Sequence, residues 1–238
     1  ILGISLISFT SCEKYLDVND NPNSATDVVP ELILPTGIVR SASLTVSYST
    51  YGGSLGGQIA NAGGFSGFGA LLNYNFTPGY LSQWDASYDN LLDFQYVIDR
   101  TEGNNDLALF NGVAKIMSAL DYHRIADQHG DIPYSEAVLG NLNTAPKYDD
   151  ASTVYQELIN RIDDGLAVIN GASFPKTLNA ASDPMFKGDM AKWKQFANTL
   201  KLRLLIRLSG VSSMSSFVNA KFSELEKNFL TDDAIVNP

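Results

Sequence analysis

A chain of 238 residues, 45% hydrophobic and 18% charged, is long enough to bury a substantial core in one or two domains. Its 26 acidic against 16 basic residues leave a net charge of -10, which argues against nucleic acid as a partner, because phosphate binding draws on clustered Lys and Arg. Cys12 is the sole cysteine, so neither an intramolecular disulfide nor a cysteine zinc cluster can form.

In chain order, residues 1–9 form an uncharged apolar run. It falls short of the roughly 20 residues that cross a bilayer and reads as the apolar region of an export signal lacking its basic start. Phe9-Thr10-Ser11-Cys12 resembles a bacterial lipobox, which would make residues 1–11 signal and Cys12 the lipidated N-terminus and membrane anchor. Residues 12–29 read as a polar tether. Asp17, Asn19 and Asn21 copy the opening of a calcium loop, but Pro22 stands where the sharp turn needs glycine and Val28 where a bidentate Glu is required. That loop is rejected.

The apolar spacing over residues 30–62 predicts helix, interrupted by Pro35 and by glycines 52, 53, 56 and 57, hence two helices or one broken one. Residues 63–79 place Phe65, Phe68, Tyr74 and Phe76 among glycines and asparagines without a helical period. Loops on rigid scaffolds are where binding groups concentrate. Phe65, Phe68, Tyr74 and the adjacent Tyr80 are therefore the candidate ligand-binding residues, Tyr74 first, since its ring can stack on a sugar and its hydroxyl bond one. Over 81–100 a helix is predicted with Trp84, Tyr88, Leu91, Gln95 and Ile98 on one stripe, Trp84 packing into the core.

The next helix, 107–128, carries Leu109, Val113, Ile116 and Leu120 on its apolar face. Gly130 closes it in a left-handed conformation, Pro133 stiffens the corner, and Ser135 is placed to cap the next segment. After a polar loop, Ser152 or Thr153 caps a helix ending at Gly171, with Val154, Leu158, Ile162, Leu166 and Ile169 facing inward. A second loop, with Pro175 and Pro184, leads to Asp189. That residue opens a helix through Leu208 whose basic side, Lys192, Lys194, Lys201, Arg203 and Arg207, reads as a solvated face. A last helix covers about 214–229. No run of alternating strands occurs, so the fold is all-α, with paired helices suggesting a helical repeat.

One cluster could carry metal chemistry: His123 and Asp127 share a helix face, and His129 and Asp131 lie at its end. A metal-assisted hydrolase is the competing reading. Against it, all four come from one corner without a His-Glu-x-x-His element, and a helix-end histidine bonding the last carbonyls is commonplace. No catalytic residue, metal or cofactor is assigned.

Several segments together resemble one family, the SusD/RagB-like outer-membrane lipoproteins of Bacteroidetes. They are Ser11-Cys12; Tyr15-Leu-Asp-Val-Asn19 with Asn21-Pro-Asn23; Trp84 with Tyr88; Gly130-Asp-Ile-Pro-Tyr-Ser-Glu-Ala137; and Lys192-Trp-Lys-Gln-Phe-Ala-Asn-Thr-Leu-Lys-Leu-Arg203. The resemblance implies a tetratricopeptide-like scaffold with long irregular loops, anchored to the outer membrane by lipid and exposed at the cell surface. It would bind oligosaccharide, or in some members peptide, for delivery to a SusC-like TonB-dependent transporter. Family members are about twice this length, so residues 30–238 resemble the N-terminal portion of one SusD-like domain.

Overall fold

The computed structural model describes residues 28–60, 69–75 and 82–237. Its α-helices are, in order, α1 (Pro30–Leu55), α2 (Gly69–Leu72), α3 (Ser82–Thr101), α4 (Ala108–His129), α5 (Ala151–Gly171), α6 (Met190–Leu208) and α7 (Ser215–Glu224). Among the described residues the extended structure is one isolated antiparallel bridge, Ile132 with Asp149.

Two pairs of long helices, α1 with α3 and α4 with α5, pack antiparallel. Gln83, Asn90, Asp93 and Tyr96 of α3 meet Ser47, Ser41, Arg40 and Val28 in descending order along α1 and the residue pair before it. Descending partners likewise join α4 to α5: Gly112 to Ile169, Ser118 to Arg161, Asp127 to Tyr155. This is the tetratricopeptide-like stack that the resemblance implied. Its centre is α4, which touches α1, α3, α5 and α6 and has 17 of its 22 residues buried. A helix enclosed on all sides has no single apolar stripe. The expected face of Leu109, Val113, Ile116 and Leu120 is correct but is only part of what it buries.

Backbone approach sets the α4–α5 spacing. A Cβ on Gly112 would lie 2.7 Å from the Gly165 carbonyl oxygen, and one on Gly165 would lie 2.8 Å from that of Gly112. Only glycine at both positions permits that crossing. Further along, Trp193 is fully buried, worth about 5 kcal/mol of transfer free energy. Its indole N–H donates to Asp183 at 2.8 Å. Asp183 also accepts from the backbone N–H groups of Met185, Phe186 and Gly188, so the Pro184 loop is tied to α6 through one carboxylate.

Several expectations change. Helix α1 runs unbroken through Pro35 and on to Leu55. Pro35 sits near the start, where losing one N–H bond is outweighed by burying Leu34, Gly37, Ile38, Ser41 and Leu44 on one face. The buried face of α3 is rotated from the expected stripe toward Gln83, Ser87, Asn90, Phe94 and Val97. Polar contacts explain the rotation. The Asp121 carboxylate, fully buried, accepts from Ser41 at 2.7 Å, Asn90 at 2.6 Å and Arg124 at 2.8 Å, tying α1, α3 and α4 together. Burial pushes the Asp121 carboxyl up, and these three donors oppose it.

The N-cap of α5 is Asp150, which accepts from Ser152 N–H and Thr153 N–H, rather than Ser152 or Thr153. An Asx side chain ahead of the first turn reaches those two orphan donors directly. Ser135 caps no helix; its N–H and hydroxyl bond Asp149. Asp189 caps α6 as expected. On the basic side of α6, Lys201 is buried and paired with Asp163, and Arg207 reaches Asp127 at 2.9 Å, so that face is partly an internal ion-pair seam. The last helix is shorter than expected. After Glu224 the chain extends along α6, where Thr199 Oγ1 accepts from Leu230 N–H at 3.0 Å.

Candidate functional site

The end of α4 and the start of α3 meet the loop before α5. Gly130, at φ 78 and ψ -114, turns the chain in a conformation that L side chains rarely adopt. Ile132 then pairs with Asp149 through N–H to carbonyl bonds of 3.2 and 2.9 Å. Asp149 also takes Tyr134 N–H and Ser135 N–H. Burial alone would push the Asp149 carboxyl up, but the Ser135 and Tyr134 bonds and Lys147 hold it below the usual range. The Tyr88 hydroxyl donates to the Pro133 carbonyl at 2.7 Å, and burial pushes that phenol up. Arg161 stands over Tyr122 and Tyr134 and donates to the Tyr134 hydroxyl at 3.0 Å. The corner is thus clamped by α3, α4 and α5.

This rigid corner presents a ring cluster. Trp84, half-buried, lies 5.0 Å from Tyr88, 4.8 Å edge-on from His129 and 6.2 Å from Tyr148 at an interplanar angle of 20°. Tyr148 is 64% exposed. Burial pushes the His129 imidazole pKa down, which favours its neutral form as a packing partner. A half-exposed indole beside an exposed, nearly parallel phenol is a surface against which a sugar ring can stack, with Tyr148 hydroxyl, His129 and loop amides at hand for its hydroxyls. Trp84 does pack on the core as expected, but its exposed part belongs to this platform. Sequence reasoning missed Tyr148 and His129 as ring partners for it. The signal was slight: a tyrosine between Pro146 and the pair Asp149-Asp150 that starts a helix.

Of the sequence candidates, Cys12, Phe65, Phe68 and Tyr80 lie outside the described residues. Tyr74 is described: it has φ 55, it is 61% exposed, and its hydroxyl donates to the Leu55 carbonyl at the end of α1. That hydroxyl anchors the loop, its one donor already used. The structure does not bring Tyr74 and Trp84 into ring contact.

The four candidate metal ligands part company. His123 is buried 3.2 Å from Asp127, and Asp127 is also held by the Tyr155 hydroxyl and Arg207. Burial pushes the His123 imidazole down, and Asp127 opposes that. His129 packs on Trp84, and Asp131 accepts from Ala151 N–H at 2.9 Å. Among the described residues no three His, Cys, Asp or Glu are placed to hold a metal ion. The His123–Asp127–Tyr155–Arg207 set is a pin between α4, α5 and α6. No helix among the described residues is long and apolar enough to cross a membrane.

A family model described as "Starch-binding associating with outer membrane" matches residues 47–236. No curated protein matches the chain. Among solved structures, a SusD/RagB family protein from Bacteroides thetaiotaomicron is 25% identical over 87% of this chain and 44% of its own, with a TM-score of 0.68. A SusD homologue from Bacteroides uniformis is 28% identical over 83% and 42%, with a TM-score of 0.60. A protein described as chitin-binding is 26% identical over 86% and 44%, with a TM-score of 0.64. The chain spans less than half the length of these structures. With the helical stack, the corner after α4 and a family match over most of its length, this chain belongs to the SusD-like family.

Proposed function

We propose that the protein captures oligosaccharide at the cell surface, held to the outer membrane by lipid on Cys12, and passes it to a SusC-like TonB-dependent transporter. The observation that carries this reading is the match over residues 47–236 to a family described as starch-binding and associated with the outer membrane. The ring platform of Trp84, His129 and Tyr148 supports it, since its chemistry is that of sugar stacking rather than of bond cleavage. Tyr74, Tyr80, Phe65 and Phe68 are further ligand contacts in this reading, Tyr74 through its ring. The chitin-binding description of one similar structure makes chito-oligosaccharides a natural first probe beside malto-oligosaccharides.

Titration calorimetry with maltoheptaose and chitohexaose tests the reading. One of them binds the wild-type protein, and Tyr148→Ala weakens binding about tenfold, or roughly 1.4 kcal/mol. Binding of neither glycan, with a peptide mixture binding instead, would overturn the ligand class. Cys12→Ala should release the protein from the membrane fraction; retention with the signal uncleaved would refute the anchor. Delivery requires that the transporter copurify with the protein after mild solubilisation, and failure to do so would remove that step.

A further inference from the structure

Between the start of α1, α3 and the loop after α4 lies a groove of about 440 Å³ whose apolar lining is Val28, Ile33, Leu92, Val138 and Leu139. Leu92 and Leu139 are 42% and 46% exposed, so leucines from two different elements meet solvent in one place. The loop holds its share firmly. Val138 sits at φ 55, a conformation that β-branched residues avoid, and packs on the core, which leaves Leu139 to the groove. The rim is acidic: Asp93 is paired with Arg40, and the exposed Asp99 accepts from the Gln95 amide at 2.7 Å. One wall of the groove is also a fixed point of the chain. The Val28 N–H donates to the Tyr96 hydroxyl at 3.1 Å, and that hydroxyl donates to the Val28 carbonyl at 2.7 Å.

The residues between Cys12 and Val28 therefore start from a point pinned beside an open apolar groove. Among them, Tyr15, Leu16 and Val18 are the only large apolar side chains and Lys14 is the only cation. Leu16 and Val18, two apart, share one face of an extended segment. Asn19-Asp-Asn-Pro-Asn23, which separates them from Val28, consists of residues that reverse a chain. We propose that residues 15–18 dock in this groove, Leu16 and Val18 against Leu92 and Leu139, with Lys14 at the acidic rim beside Asp99. A second copy is the poorer occupant. Ten residues line the groove, against roughly 20–30 a side in a standard interface, whereas a segment already joined at Val28 has an effective concentration on the order of millimolar and needs little area. The consequence is a short leash. With lipid on Cys12, a step that rests on the anchor reading above, the docked Leu16 stands about 14 Å of extended chain from the anchor, where Val28 stands about 55 Å from it. The docking itself does not depend on the lipid.

Trypsin tests the docking on the full chain without lipid, because Lys14 is the only Lys or Arg before Arg40. Cleavage after Lys14 is followed by mass spectrometry. Leu92→Asp combined with Leu139→Asp, both at exposed positions, speeds that cut about tenfold, as holds when proteolysis tracks the open population, while the circular dichroism spectrum stays that of wild type. A second readout is independent of the groove variant. A spin label on Asp17→Cys in a Cys12→Ser chain broadens the Leu92 and Leu139 amide resonances, and adding Leu16→Asp with Val18→Asp abolishes the broadening. Equal cutting of wild type and groove variant, or Leu92 and Leu139 resonances indifferent to the label, overturns the proposal. A groove variant that turns an oligomer into a monomer with the Lys14 cut unchanged gives the groove to a second copy and overturns it as well. Tenfold protection in wild type, beside a mature protein whose mass shows no lipid, refutes the anchor and its short leash while the docking stands.

Discussion

Replacing Gly112 by alanine puts the α4–α5 crossing to a quantitative test. In an open helix this exchange gains about 1 kcal/mol from backbone entropy. At position 112 the new methyl would stand 2.5 Å from Ile169 Cγ1 and 2.7 Å from the Gly165 carbonyl oxygen. Ile169 can turn to another rotamer; the carbonyl is fixed within α5. Restoring ordinary contact separates the helices by about 0.7 Å locally, and a gap of about 0.5–1 Å already forfeits a quarter to a half of each dispersion contact across it. Val113, Ile116, Leu158 and Ile162, all fully buried, lie in the core on these two helices. Overpacking of this kind costs about 1–3 kcal/mol, so after the propensity gain the net loss is about 0–2 kcal/mol. For a chain of this size that is a fall of up to about 8 °C in melting temperature. Gly171→Ala is the control, since a Cβ there meets nothing within 4 Å; it should be neutral or stabilising by up to about 1 kcal/mol. Urea unfolding followed by circular dichroism measures both. Equal upward shifts of the two midpoints would refute the claim that close approach requires glycine at 112.

Asp183→Ala should cost at least about 2 kcal/mol, since it strands the Trp193 indole N–H and three backbone donors; a tryptophan emission spectrum and unfolding midpoint unchanged from wild type would contradict this. Gly130→Val imposes a side chain on a φ of 78 and should lower stability by about 1–3 kcal/mol, read as a lower thermal midpoint, whereas Val at a free loop position would leave it in place. The Asp149 carboxyl is held low in the folded state, so its contribution is present above the ordinary Asp pKa and is lost as pH falls through the lowered value. Wild type should therefore lose more stability than Asp149→Asn on acidification from about pH 5 to pH 2, and parallel stability curves for the two would rule out that linkage.

Helix existence is legible wherever apolar residues recur at three- and four-residue steps, as in α5, where Val154, Leu158, Ile162 and Ile169 belong to the buried set. The all-α architecture comes from that. What sequence conceals is burial of polar groups. Gln83, Ser87 and Asn90 look like the solvent side of α3, yet face α1, because Gln83 bonds Ser47, Ser87 bonds Tyr48, and Asn90 meets the Asp121 carboxylate that also takes Ser41. Lys201 likewise looks like one charge of a wet face until Asp163 meets it. Proline at 35 looks like a break because its cost is local and visible, whereas the compensating burial is tertiary. The ring platform is hidden for a related reason: Trp84, His129 and Tyr148 come from α3, the end of α4 and a loop, and no local pattern joins them. Tyr74 stands out by its glycine-rich context, which reports exposure correctly but not the bond from its hydroxyl to Leu55.

The Ile132–Asp149 bridge closes the excursion between α4 and α5 at its mouth, with Asp131 tied to Ala151 beside it. Pro133 and Tyr134 just inside that closure are held by Tyr88 and Arg161, so the tip around Leu142 is topologically a side branch: α4 and α5 would keep their relation if it were cut. A protease entering at Leu142, 90% exposed near the branch tip, should yield two fragments that stay associated and melt as one body. The same position should accept inserted residues, or new chain ends in a circularly permuted protein. Length and composition at the tip are in this way uncoupled from the stability of the stack, so the loop bearing Tyr148 is free to vary while its stem stays fixed.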